Sequence, residues 1–64
     1  GGAAAATAEE VEFTGTVVQT GDPVILDDGT ETMQVDTDAA LTLGQEVTAR
    51  GAIVDDRLDA DDVF

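Results

Sequence analysis

Fifteen carboxylates and two guanidiniums make up nearly all the reactive equipment of this chain. The carboxylates cluster as Asp27-Asp28, Asp36 with Asp38, Asp55-Asp56, and Asp59 with Asp61 and Asp62. Oxygen ligands of this kind suit calcium or magnesium, and paired carboxylates perform acid–base hydrolysis. Neither chemistry has its usual frame here. No cluster carries the spacing of an EF-hand loop. Histidine and cysteine are absent, so zinc loses its ordinary ligands and no disulfide can form. The clusters read as solvated surface acid that condenses potassium or sodium diffusely. The sequence points to no cofactor, no resident metal and no enzyme activity.

The two cations are Arg50 and Arg57. A guanidinium can contact phosphate or stack on a base. Its other ordinary role is pairing with a nearby carboxylate, here Glu46 or Asp59. Thr16, Gln19, Thr32 and Gln34 could hydrogen-bond base edges, and they are also common choices for an exposed strand face. Phe13 and Phe64 are the only aromatics. Phe13 falls on an apolar face and reads as core. Phe64 either presents its ring or closes an open edge of the fold.

The elements that must position these groups are strands. Val11, Phe13, Gly15 and Val17 alternate with polar neighbours, the period of a half-buried strand. A second strand is expected over 24–27 and a third over 30–36, with Met33 and Val35 inward and Thr32 and Gln34 outward. The Asp28-Gly29 pair between them predicts a two-residue hairpin turn. A fourth strand covers 45–54, with Val47, Ala49, Gly51 and Ile53 on one face. Asp55-Asp56 turns the chain into a fifth, from about 57 to 63. Gly15 and Gly51 mark bulges or sharp bends that coil a sheet. Between the third and fourth strands, Asp38 could cap one helical turn, and Leu41 with Leu43 reads as a plug for the barrel's open end. Residues 1–9 are Gly/Ala-rich and read as a flexible tail, with Thr7 and Glu10 able to form a capping box. Residues 10–64 form the domain.

Sixty-four residues allow one small domain and no more. Five short strands at this spacing, too few for an immunoglobulin-sized sandwich, fit an all-β, five-stranded, partly open Greek-key barrel with a short connector between the third and fourth strands. Such a barrel is filled by its own side chains and leaves no catalytic pocket. No apolar stretch approaches the roughly 20 residues of a membrane span, and the N-terminus lacks the features of a secretory signal, so a cytoplasmic protein without a membrane partner is expected.

The formal net charge is −13, with no lysine at all. Self-repulsion of this size strains a compact domain in dilute buffer. At 1 M salt the Debye length falls to about 3 Å, and the strain is screened. An acidic, lysine-free surface over an Ala/Val/Thr-rich interior fits a salt-loving organism with a briny cytoplasm.

Phe13-x-Gly15-x-Val17, the run Val24 to Thr30, Gly44-Gln45-Glu46-Val47-x-Ala49-x-Gly51-x-Ile53, and Leu58-x-Ala60-x-x-Val63 together resemble an OB-fold. The resemblance is to the archaeal replication protein A type and the anticodon-binding type, and it covers about residues 11–64. It implies a module for single-stranded nucleic acid, serving a larger replication, repair or RNA-processing complex. OB-folds bind through the second and third strands and the loops joining strands one to two and four to five. Carried onto this sequence, the interface is Arg50, Gln34, Thr32, Thr16 and Gln19, with Arg57 at the loop rim. Two alternatives are a protein-interaction domain, using the barrel face or adding a partner strand at an edge, and a small homo-oligomeric structural protein. Nucleic-acid binding predicts an outer face free of acid around Arg50. Protein binding predicts exposed apolar groups, with Val18, Val54 and Phe64 as candidates.

Overall fold

The computed structural model describes residues 10–64. The tail expected at 1–9, with the Thr7 half of its capping box, lies outside the described residues. Period-two alternation produces five strands: β1 (Val11–Gln19), β2 (Val24–Asp27), β3 (Thr32–Asp36), β4 (Glu46–Val54) and β5 (Arg57–Val63). They close into a barrel in the order β1-β2-β3-β5-β4. Four of the joins are antiparallel, and β3 meets β5 in parallel. The described residues contain no helix. This all-β, mixed-orientation ring is compatible with an OB-like fold.

Inward side chains from every strand meet at the centre: Phe13 and Val17 from β1, Val24 and Leu26 from β2, Val35 from β3, Val47 and Ala49 from β4, Leu58 from β5. Leu26, Ala49 and Leu58 are fully buried. No polar or charged residue is buried among them, so the core carries no desolvation penalty. Met33, Leu41, Ala60 and Val63 pack around its edge.

β1 serves two neighbours. Its first half pairs with β4, from Val11 opposite Gly51 to Thr16 opposite Glu46. Its second half pairs with β2, with a register irregularity between Val17 and Gln19 that leaves Val18 half exposed. Gly15 sits where the strand changes partners. A side chain there would place its Cβ 2.9 Å from the carbonyl carbon of Asp27. Gly51 sits at a second irregularity, in the β4–β5 ladder. A Cβ there would run into the Asp59 carbonyl and lie 2.8 Å from the Ala60 Cα. Both glycines permit backbone-to-backbone approach where the sheet coils, as their positions in the sequence imply.

The turns differ from expectation in an informative way. The β2–β3 connection is a four-residue loop, 28–31, and only Gly29 has positive φ. A two-residue type I′ turn needs positive φ at both central residues. Here the carboxylates replace that geometry. Asp27 Oδ1 accepts the Gly29 N–H at 2.7 Å, and Asp28 Oδ1 accepts those of Thr30 and Glu31 at 2.8 and 2.9 Å. The I′-like pair is instead Asp55-Asp56, with φ of 52° and 65° between paired Val54 and Arg57. Aspartate tolerates this left-handed region better than most residues.

The connector 37–45 has no helical turn at Asp38. Thr37 Oγ1 accepts the Ala39 N–H instead, at 3.1 Å, and the residues up to Thr42 form neither helix nor strand. Thr42-Leu43-Gly44-Gln45 then forms a β-turn closed by Gln45 N–H to Thr42 O at 3.1 Å, with Gly44 at φ 88° as a type II turn requires. Of the two leucines expected to plug the barrel, Leu41 packs against the core, whereas Leu43 rides on the turn and is largely exposed. Ile53, expected inward, is also exposed. β1 begins opposite Gly51, so nothing from β1 covers the tip of β4.

Candidate binding face

β2 lies between β1 and β3, so directly opposed residues form rows across three strands. Thr16, Asp27 and Thr32 make one row, and Gln19, Ile25 and Gln34 the next. Leu26, between these rows, is buried, which puts both rows on the outside of the barrel. Strands are about 4.8 Å apart, so the ends of a row stand roughly 10 Å from each other. The face is thus a short platform: two glutamines flank a half-buried isoleucine, with two threonines beside them.

The electrostatics of this platform are mild for so acidic a protein. Asp27 is the one carboxylate within the two rows, and that group is committed to the Gly29 N–H; Glu46 on β4 and Asp36 at the end of β3 border them. Gln19 is held by its own loop, donating Nε2–H to the Pro23 carbonyl at 2.9 Å. An open groove of about 440 Å³ runs alongside, lined by Thr14, Thr16, Val18, Asp27, Asp28 and Glu46 among others. Its carboxylates make it a poor seat for phosphate.

Arg57 stands at the rim of the same face. Its Nη1 donates to both carboxylate oxygens of Asp36, at 3.1 and 3.4 Å. Arg50 is elsewhere. It lies on the outer side of β4, opposite Glu12 on β1 and Asp62 on β5. Its Nη2 donates to Asp62 Oδ2 at 2.9 Å, its Nη1 is 3.8 Å from Glu12, and its Nε is 4.0 Å from Glu10. The guanidinium carbon sits 5.8 Å from the centre of the Phe64 ring, within cation–π range. The hydrogen bond and charge of Asp62, then the charges of Glu10 and Glu12, push the Arg50 pKa further above its ordinary value. The partners of the two arginines are therefore Asp62, Glu12, Glu10 and Asp36, in place of the expected Glu46 and Asp59. The acid-free outer face expected around Arg50 is absent, and its carboxylate partners take the place of a phosphate there.

The structure thus brings Thr16, Gln19, Thr32 and Gln34 onto one surface, with Arg57 at its margin, and separates Arg50 from them. Sequence reasoning missed Ile25 at the centre of the platform. The signal was there: in the apolar run Val24-Ile25-Leu26, period two must turn one residue outward. Phe13 is core, as expected, and Phe64 stays exposed while exchanging both backbone hydrogen bonds with Thr48.

No family model matches the sequence, and no curated protein or solved structure is significantly similar to it.

Proposed function

We propose that this barrel is a non-enzymatic binding module for single-stranded nucleic acid, working through the outer face of β1, β2 and β3. The observation that supports this reading is the Gln19–Ile25–Gln34 row, with Thr16 and Thr32 beside it. It is the least acidic surface described above, and it lies where OB-like barrels take oligonucleotides. Gln34 and Gln19 offer amide groups to base edges, and Ile25 offers an apolar surface for a base to rest on. Arg57 sits at the margin, where it could exchange Asp36 for a phosphate. Arg50 has no part in this reading.

The charge of −13 supports a setting in concentrated salt, such as the cytoplasm of a halophilic archaeon, with the module of the replication protein A or anticodon-binding type. There the phosphate term of binding fades for any protein, and a neutral platform is a sensible way to hold bases. In that setting the module would serve a larger replication, repair or RNA-processing complex.

The test is a titration of short single-stranded oligonucleotides in molar KCl, read by NMR. Shifts confined to Gln19, Ile25, Thr32 and Gln34 support the reading. No shift at several hundred micromolar ligand sinks it. A second reading, a protein-interaction domain, is favoured by the exposed side chains of Val18, Leu43, Ile53, Val54 and Phe64. In that case an unlabelled partner protein shifts those residues while oligonucleotides shift none.

A further inference from the structure

We propose that Asp28–Gly29 is a covalent self-modification site, forming isoaspartate when the β2–β3 turn opens and protected from it while the turn is closed. The chemistry needs no cofactor. The Gly29 backbone nitrogen loses its proton and attacks the Asp28 side-chain carboxyl carbon. An N–C bond forms, water leaves with a carboxyl oxygen, and a five-membered succinimide results. Hydrolysis returns the water. Opening at the main-chain carbonyl routes the backbone through the Asp28 methylene, giving isoaspartate with no change in mass. Glycine is the residue that hinders this attack least, and nothing lies within 4 Å of where a Gly29 Cβ would stand. Both residues are exposed, so water has free access.

The closed turn opposes each requirement. The Gly29 N–H donates to Asp27 Oδ1 at 2.7 Å. Removing that proton would set an amide anion beside a carboxylate. The electrophile is restrained as well, because Asp28 Oδ1 accepts the N–H groups of Thr30 and Glu31 at 2.8 and 2.9 Å. These bonds keep the Asp28 carboxyl ionised, and an ionised carboxyl is the poorer electrophile. The Asp28 N–H to Glu31 O bond, 3.1 Å, holds the loop backbone in place. Asp27 is thus a positioning residue. Reaction requires local opening of the loop, which is separate from unfolding of the barrel.

The experiment follows isoaspartate at Asp28 in the whole chain by peptide mapping, with electron-transfer fragmentation to tell the two isomers apart. Folded protein in molar KCl is compared with the same chain unfolded in guanidinium chloride. The folded chain should react at least about tenfold more slowly, the factor that corresponds to roughly 1.4 kcal/mol of opening. Asp27→Ala, verified as folded by circular dichroism, should lose several-fold of that protection. Asp27→Asn keeps an acceptor for the Gly29 N–H and should recover most of it. Equal rates in folded and unfolded wild-type protein overturn the proposal. So does a folded Asp27→Ala that reacts at the wild-type rate.

Discussion

Arg57, the first residue of β5, donates one guanidinium nitrogen to both carboxylate oxygens of Asp36, the last residue of β3. The contact spans the one parallel join of the barrel. That join has only two residue pairs, Val35 with Leu58 and Asp36 with Asp59. Two of those residues, Val35 and Leu58, are core, so the ion pair fastens the outside of a seam whose inside is held by packing.

The seam predicts a small coupling. The Arg57 and Asp36 side chains are 43% and 39% exposed, and pairs this open are worth about 0.2–1 kcal/mol. A double-mutant cycle with Arg57→Ala and Asp36→Ala, read by urea melts, should give a value in that range that shrinks in molar salt. By contrast, Leu58→Ala should cost about 2–5 kcal/mol and be indifferent to salt. A coupling well above this range would mean that the ion pair, more than the packing, closes the barrel.

Gly51→Ala should be the most damaging methyl group in the protein. Its Cβ would meet rigid backbone at Asp59 and Ala60, so the β4–β5 ladder must part. Overpacking of this kind costs about 1–3 kcal/mol or more, against a total of roughly 3–10 kcal/mol for a chain of this length. Gly15→Ala, with a milder approach to Asp27, should cost less. Thermal melts in molar KCl decide the ranking, and equal or reversed losses would contradict it.

Acid should weaken the β2–β3 loop. Backbone hydrogen bonds from Glu31 first, then Thr30, hold the Asp28 carboxyl below its ordinary pKa. The folded state therefore binds fewer protons at this site than the unfolded state does. The resulting stability is fully present above about pH 5, beyond the unfolded value near 3.9, and is lost as pH falls through the lowered folded value. Asp28→Ala should lower Tm at neutral pH, and its gap from wild type should narrow below about pH 4. A gap that stays constant down to pH 2 would show that the carboxylate charge plays no part.

Salt should act on binding with an unusual sign. Ordinary single-strand binders lose affinity with a log–log slope of about −0.7 per neutralised phosphate. In the proposed interface Arg57 is the only cation, and it is already paired, while the net charge repels the ligand. Oligonucleotide affinity should therefore stay level or rise between low and molar KCl, and Tm of the free protein should rise with it. Affinity that falls steeply with salt would point to a cationic site other than the one described.

Much of the fold was legible because period two is a strong signal. The bounds of β2 follow from Val24-Ile25-Leu26 stopping at Asp27, and β4 and β5 follow from alternation on either side of Asp55-Asp56. Less legible were features set by what lies opposite. Ile53 has the right parity for the core, yet β1 starts too late to cover it. Leu43 has the right chemistry for a plug, yet Gly44 commits it to a turn. At the candidate site, Thr16, Gln19, Thr32 and Gln34 could be grouped because outward parity is local. The isolation of Arg50 could not be foreseen. It depends on Glu12 and Asp62 arriving from strands far away in sequence, and registers between distant strands are written in no single segment.

Each strand of the ring has a neighbour on both sides. A visiting peptide therefore finds no whole strand waiting to be lengthened; the one short opening is at the β3–β5 join, which has two residue pairs. The same closure guards against clumping. Acidic molecules keep their distance in fresh water by mutual repulsion, but brine cancels that force, and an open sheet border would then invite stacking into fibres. Joining the border to itself keeps the molecules apart without relying on charge.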